Sequence, residues 1–216
     1  MNMIIKEIKE IYDKYEKSFE ECVLHDNEYE LFKVLVAPMR FGKTRLAITH
    51  NIPFLLEKTN VNCIVLTSPL GSILKQKERK LKNTISRLNG VELCNDPVEA
   101  QEALDDGQKV VLVMTNMAAW VGTKSEELFN KIDKTKTAFI IDEAHYWTTD
   151  CAENYPNVVG GGATKSDNPK RFKGVLYNRV KTFSIHTPHI YGLTATTNKQ
   201  HKGDVPALDF MQFKVI

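Results

Sequence analysis

Three short segments of this 216-residue chain hold residues whose types and spacing can do chemistry on nucleotide phosphates. The first is Ala37-Pro38-Met39-Arg40-Phe41-Gly42-Lys43-Thr44, which follows the apolar run Lys33 to Val36 and precedes a helical pattern. A strand feeding a Gly-Lys-Thr turn that opens a helix aims backbone N–H groups and the helix dipole at an anion. Lys43 adds a cation for the outer phosphates, and the Thr44 hydroxyl is a ligand for Mg²⁺. Gly42 permits close approach of backbone to phosphate, and Pro38 keeps the chain non-helical before the turn. The candidate nucleotide cradle therefore comprises Pro38, Met39, Arg40, Phe41, Gly42, Lys43, Thr44 and Arg45, with nucleotide phosphates and Mg²⁺ as the implied ligand.

The second segment, Asp142-Glu143-Ala144-His145, ends the apolar run Thr137 to Ile141. A carboxylate at a strand end can face the loop and hold Mg²⁺ through water, which is the role read for Asp142. The adjacent Glu143 can polarise an attacking water. The third segment, Leu193-Thr194-Ala195-Thr196, comes after another apolar run. Its hydroxyls, Thr194 and Thr196, can reach toward the Asp142 to His145 turn and couple phosphate state to the rest of the molecule, together with His145. Standing alone, they would be ordinary turn threonines.

These segments need a scaffold that brings distant strand ends together. Continuous Val, Ile and Leu strands at Lys33–Ala37, Asn62–Thr67, Lys109–Met114, Thr137–Ile141 and His189–Leu193 alternate with helical patterns at 43–56, 72–88, 97–104, 125–132 and 173–185. Such alternation predicts an α/β fold, a mostly parallel sheet with helices on both faces, whose ligands sit at the carboxyl ends of the strands. Before it, Ile4, Ile8, Ile11, Tyr12, Tyr15, Phe19 and Val23 recur at helical spacing. We read residues 1–30 as an amphipathic helix packed on a single domain of residues 31–216. Residues 154–169, with Gly160-Gly161-Gly162 and two prolines, read as a loop, either a tolerated insertion or a substrate contact.

Composition bounds the rest. Charged residues are 26% of the chain and the net charge is only +2, so partners must be sought in local charge. Lys75, Lys77, Arg79, Lys80, Lys82 and Arg87 form one basic run, and Lys165, Lys170, Arg171, Lys173, Arg179 and Lys181 another. Each is either a solvated face or a phosphate-backbone footprint. The four cysteines have no metal-ligand spacing, which argues for reduced thiols in a cytoplasm-like compartment. No apolar run approaches a membrane span, and Met1 to Glu10 lacks a signal-peptide core.

With these residues in place, the A-P-M-R-F-G-K-T, D-E-A-H and L-T-A-T segments resemble motifs I, II and III of superfamily-two helicases and translocases, DEAH-type and type III restriction-like members above all. The resemblance runs from about Lys33 to Thr197 and implies a RecA-like P-loop NTPase domain acting on nucleic acid, DNA before RNA. It further implies that Thr67, Ser68, Pro69 and Gly71, and Thr115 with Asn116, lie in strand-end loops that grip a sugar–phosphate backbone. Met39-Arg40 departs from the usual Thr-Gly, and no adenine-recognition segment is evident in His25 to Glu30. Arg40 and the Asp142-Glu143 pair also suit a viral DNA-packaging motor of the terminase type, although His145 and L-T-A-T favour the helicase. A non-hydrolysing nucleotide- or nucleic-acid-binding module is the third reading.

Relatives carry a second RecA-like domain bearing an arginine finger after motif III, and this chain ends at Ile216. The expected partner is such a domain, in cis or on another chain. A missing finger lowers turnover by ~10³–10⁵-fold. We therefore expect the isolated chain to bind Mg-ATP but hydrolyse it slowly. Robust turnover stimulated by single-stranded nucleic acid, in a steady-state ATPase assay, would refute this.

Overall fold

The computed structural model describes residues 2–25, 28–29, 31–37, 41–68, 71–115, 123–144, 182–194 and 212–215. The chain begins with α1 (Asn2–His25) and β1 (Leu31–Val36). A short α2 (Lys43–Leu46) passes through a π-helical turn (Ala47–Asn51) into α3 (Ile52–Lys58). Then come β2 (Cys63–Ser68), α4 (Gly71–Ile85), β3 (Val91–Cys94), α5 (Pro97–Asp105) and β4 (Lys109–Thr115). Helix α6 (Thr123–Lys131), β5 (Thr137–Asp142), β6 (Ile190–Thr194) and β7 (Gln212–Val215) complete the described elements.

The strands form one sheet of order β3-β4-β2-β5-β6-β1-β7, parallel at every pairing. This is the α/β, mostly parallel arrangement that the alternating pattern predicts. Side chains along each strand alternate between two buried layers, as the two-residue strand period requires. Cys63, Val65, Phe139 and Ile141 join α5, α6 and Phe183 in one layer. Ile64, Leu66, Ala138 and Ile140 join α1, α2, α3 and α4 in the other. The first layer centres on Phe139, whose ring meets that of Phe183 edge-on at 4.8 Å, a favoured aromatic geometry. The second is closed by α1, where Phe19, 1% exposed, lies 5.0 Å from the Tyr191 ring.

Several elements differ from the sequence expectation. Helix α4 ends at Ile85, because Arg87 and Leu88 N–H groups bond three residues back, to Thr84 and Ile85, tightening the chain into a turn before Gly90. Strands β3 and β7 were not expected. Each is four residues long at a sheet edge, and their Val-Glu-Leu-Cys and Gln-Phe-Lys-Val sequences lack the apolar run of a central strand. The helix expected at 173–185 is described only from Thr182, and residues 173–181 and the 154–169 loop lie outside the described residues. Among the described residues, no helix is long and apolar enough to cross a membrane, and Cys22, Cys63 and Cys94 are buried and form no disulfide.

One buried polar group makes stability depend on pH. His189 shares a 3.1 Å hydrogen bond through Nδ1 with the Tyr191 hydroxyl. Burial first, and the charge of Lys33 second, lower its pKa to about 4. In the unfolded chain an imidazole takes its proton near pH ~6.5. The folded value is the lower, so the stabilisation is complete above the unfolded pKa and is lost as pH falls through the folded one. Urea unfolding between pH 7 and 4 should show His189→Leu losing less stability than the parent, by up to about 3 kcal/mol. Parallel curves for the two proteins would contradict this.

Candidate functional site

The candidate nucleotide-binding segment is built on the end of β1. The Ala37 N–H donates to the Thr194 carbonyl at 3.0 Å, continuing the β1–β6 pairing one residue past the strand. Gly42 then turns the chain with φ 95°, a conformation that favours glycine, and its carbonyl accepts the Leu46 N–H at 2.9 Å as the helix begins. The helix N-terminus thus opens at Lys43, directly beyond the strand end.

Lys43 is 8% exposed, and its Nζ donates to the Ala37 carbonyl at 2.7 Å, so the ammonium lies across the start of its own loop. One residue on, the Thr44 Oγ1 donates to Asp142 Oδ1 at 3.1 Å, across 98 residues of sequence. Asp142 is 3% exposed at the end of β5. Glu143 comes next with φ 54°, in the left-handed region that costs a non-glycine residue about 1–3 kcal/mol. The N–H of Ala144 then donates to the Leu193 carbonyl at 2.8 Å. Consecutive carbonyls at the end of β6, from Leu193 and Thr194, therefore hold the turn after Asp142 on one side and the start of the Gly-Lys-Thr loop on the other.

Mg-ATP fits these residues. A paired hydroxyl and carboxylate are the hard oxygen donors that Mg²⁺ takes, and a lysine held at a helix N-terminus answers a phosphate anion. Thr44 and Asp142 are the residues that would hold the metal, and Lys43 the outer phosphates.

The structure gathers Gly42, Lys43, Thr44, Asp142, Glu143 and Thr194 at neighbouring strand ends. Arg45 is exposed on α2. Thr67 and Ser68 end β2, both fully buried, in register with Met114 and Thr115 at the end of β4, and Gly71 opens α4. The hydroxyls of Thr67 and Ser68 find no hydrogen-bond partner among the described residues. Pro38, Met39, Arg40, Pro69, Asn116, His145 and Thr196 lie outside the described residues.

From sequence, Phe41 has no particular role beyond the loop, and Tyr12 belongs to the apolar stripe of α1. The structure joins them. The Tyr12 hydroxyl donates to the Phe41 carbonyl at 2.7 Å, and the two rings meet edge-on at 5.4 Å. The helical spacing of Tyr12 marks its burial, but nothing local in the sequence marks the direction of its hydroxyl.

Compared by sequence, no family model and no curated protein matches the chain. Compared by structure, it is similar to the helicase domain of Hef from Pyrococcus furiosus, with TM-score 0.54 and 14% identity over 95% of this chain. The UvsW helicase of bacteriophage T4 (TM-score 0.48, 10% identity, 92% of this chain and 59% of that one) is also similar. So is the helicase MrfA (TM-score 0.48, 14% identity, 97% of this chain and 32% of that one). The likeness to Hef shows the fold, a RecA-like α/β arrangement, as expected from the alternating strands and helices. This chain spans 37% of the length of that structure.

The backbone at Glu143 yields a prediction that needs no ligand. Glu143→Gly should gain up to about 1 kcal/mol, because glycine adopts positive φ freely, whereas the β-branched Glu143→Val should lose about 1–2 kcal/mol. Urea unfolding of the two variants checks the order, and a more stable valine variant would exclude strain at this turn.

Proposed function

We propose that the chain is the ATP-binding domain of a superfamily-two helicase or nucleic-acid translocase. The observation that carries this reading is the Thr44–Asp142 hydrogen bond, with Lys43 buried beside it. It pairs the hydroxyl of the Gly-Lys-Thr turn with the carboxylate of the D-E-A-H segment, as a shared metal position requires. The helicase-domain fold supports the same reading, and the fold by itself would suit many other activities.

When bound, Mg-ATP would supply the anhydride bond to be broken and a metal charge that offsets the negative charge of the phosphates. The chain's own residues then divide the work. The Lys43 ammonium, which donates to the Ala37 carbonyl, would hold the outer phosphates. Thr44 Oγ1 and the Asp142 carboxylate, paired here by a hydrogen bond, would hold the metal, Asp142 by way of water. Glu143 offers a carboxylate able to take a proton from an attacking water. Thr194, with His145 and Thr196, couples nucleotide state to the strand-end segments at Thr67, Ser68, Pro69, Gly71, Thr115 and Asn116. These are the proposed contacts with a nucleic-acid backbone.

Isothermal calorimetry tests the reading. Lys43→Ala should lose measurable Mg-ATP binding while its thermal unfolding stays within a few degrees of the parent. Unchanged affinity would overturn the assignment. In the parent, labelled single-stranded nucleic acid should bind with an affinity that changes when Mg-ATP is added, and independence of nucleotide would remove the coupling role.

A further inference from the structure

We propose that Tyr12 is a positioning residue of the nucleotide site, which makes α1 a working part of that site and not only a cover for the core. The inference rests on the nucleotide reading above and deepens it. In a trans peptide the C=O and the next N–H point in opposite directions. The Tyr12 hydroxyl holds the Phe41 carbonyl at 2.7 Å, so the Gly42 N–H is turned to the side away from α1. That amide directly precedes Lys43 at the helix N-terminus, where backbone N–H groups serve phosphate. With no such anchor, a peptide flanked by glycine flips at little cost, and the donor would be presented to the wrong side.

The packing leaves no slack in this arrangement. A Cβ on Gly42 would lie 2.9 Å from the Tyr12 hydroxyl, closer than real contacts allow. The ring of Tyr12 is itself set edge-on against Phe41. Below it, α1 is fixed to the helix that the loop feeds. Asn51 Nδ2, in the π turn, donates to the Tyr15 hydroxyl at 2.7 Å, and Phe19 meets the His50 ring edge-on at 6.1 Å. The same face of α1 therefore grips both the loop and the helix beyond it.

Tyr12→Phe removes the hydroxyl and keeps the ring, so the variant should fold and unfold as the parent does. Two measurements test it. Amide hydrogen exchange of the nucleotide-free protein should quicken several-fold at residues 41–44 and not in β2 or β4. Calorimetry should show Mg-ATP affinity falling about 2- to 10-fold, the range for one lost hydrogen bond. Unchanged affinity, or exchange that quickens throughout the core, overturns the proposal in favour of simple packing. If the parent itself fails to bind Mg-ATP, the nucleotide reading falls, and the exchange result alone then decides whether Tyr12 holds the loop.

Discussion

The arrangement depends on β6 lying between β1 and β5. A parallel strand presents successive carbonyls to alternate neighbours, so the last residues of β6 can serve two chains at once. Leu193 takes the amide of Ala144 and Thr194 takes that of Ala37. Those two bonds fix the start of the Gly-Lys-Thr loop and the Asp142 turn at one height along the sheet. Without that common height, Thr44 and Asp142 would not meet at hydrogen-bond distance. The residues of greatest chemical interest are thus placed by backbone groups of a strand with little chemistry of its own.

The helix after the loop departs from regular geometry in a way that serves the same end. Its π turn, Ala47–Asn51, holds one residue more than an α turn, which resets the face that α3 presents. His50 and Asn51 come to face α1, while Ile52, Leu55 and Leu56 are buried against the sheet. Glu16 and Glu20 of α1 approach His50 at 4.0 and 3.5 Å. The N-terminal helix, loop and sheet are consequently packed as one body around Phe19 and Tyr191.

Much of this was legible in the sequence because burial on both faces leaves a simple trace. Cys63 to Leu66 and Ala138 to Ile141 are apolar at every position and too short for a helix, the trace of a strand covered on both sides. The Gly-Lys-Thr and Asp-Glu segments were legible because few other arrangements place those groups at strand ends. Edge strands leave a weaker trace. Val91 to Cys94 alternates in burial and is shorter than a helical pattern needs, so its residues read as part of a loop. The π turn was invisible, since one added residue alters helical phase without altering composition. Tyr12 illustrates a different limit. Periodicity tells that a side chain is buried, but the partner of its hydroxyl is set by a contact 29 residues away.

Ala37 carries a consequence of its own. Its amide is pinned to β6 and its carbonyl accepts the ammonium of Lys43, so one residue joins the sheet to the cation that opens the helix. The loop is in this sense its own occupant. On the proposed nucleotide reading, an incoming phosphate would compete with that carbonyl for the ammonium, and its affinity would be a difference between two bonds. On that reading, a change that weakened the hold of Ala37 on Lys43 would tighten the binding of phosphate without touching the phosphate itself.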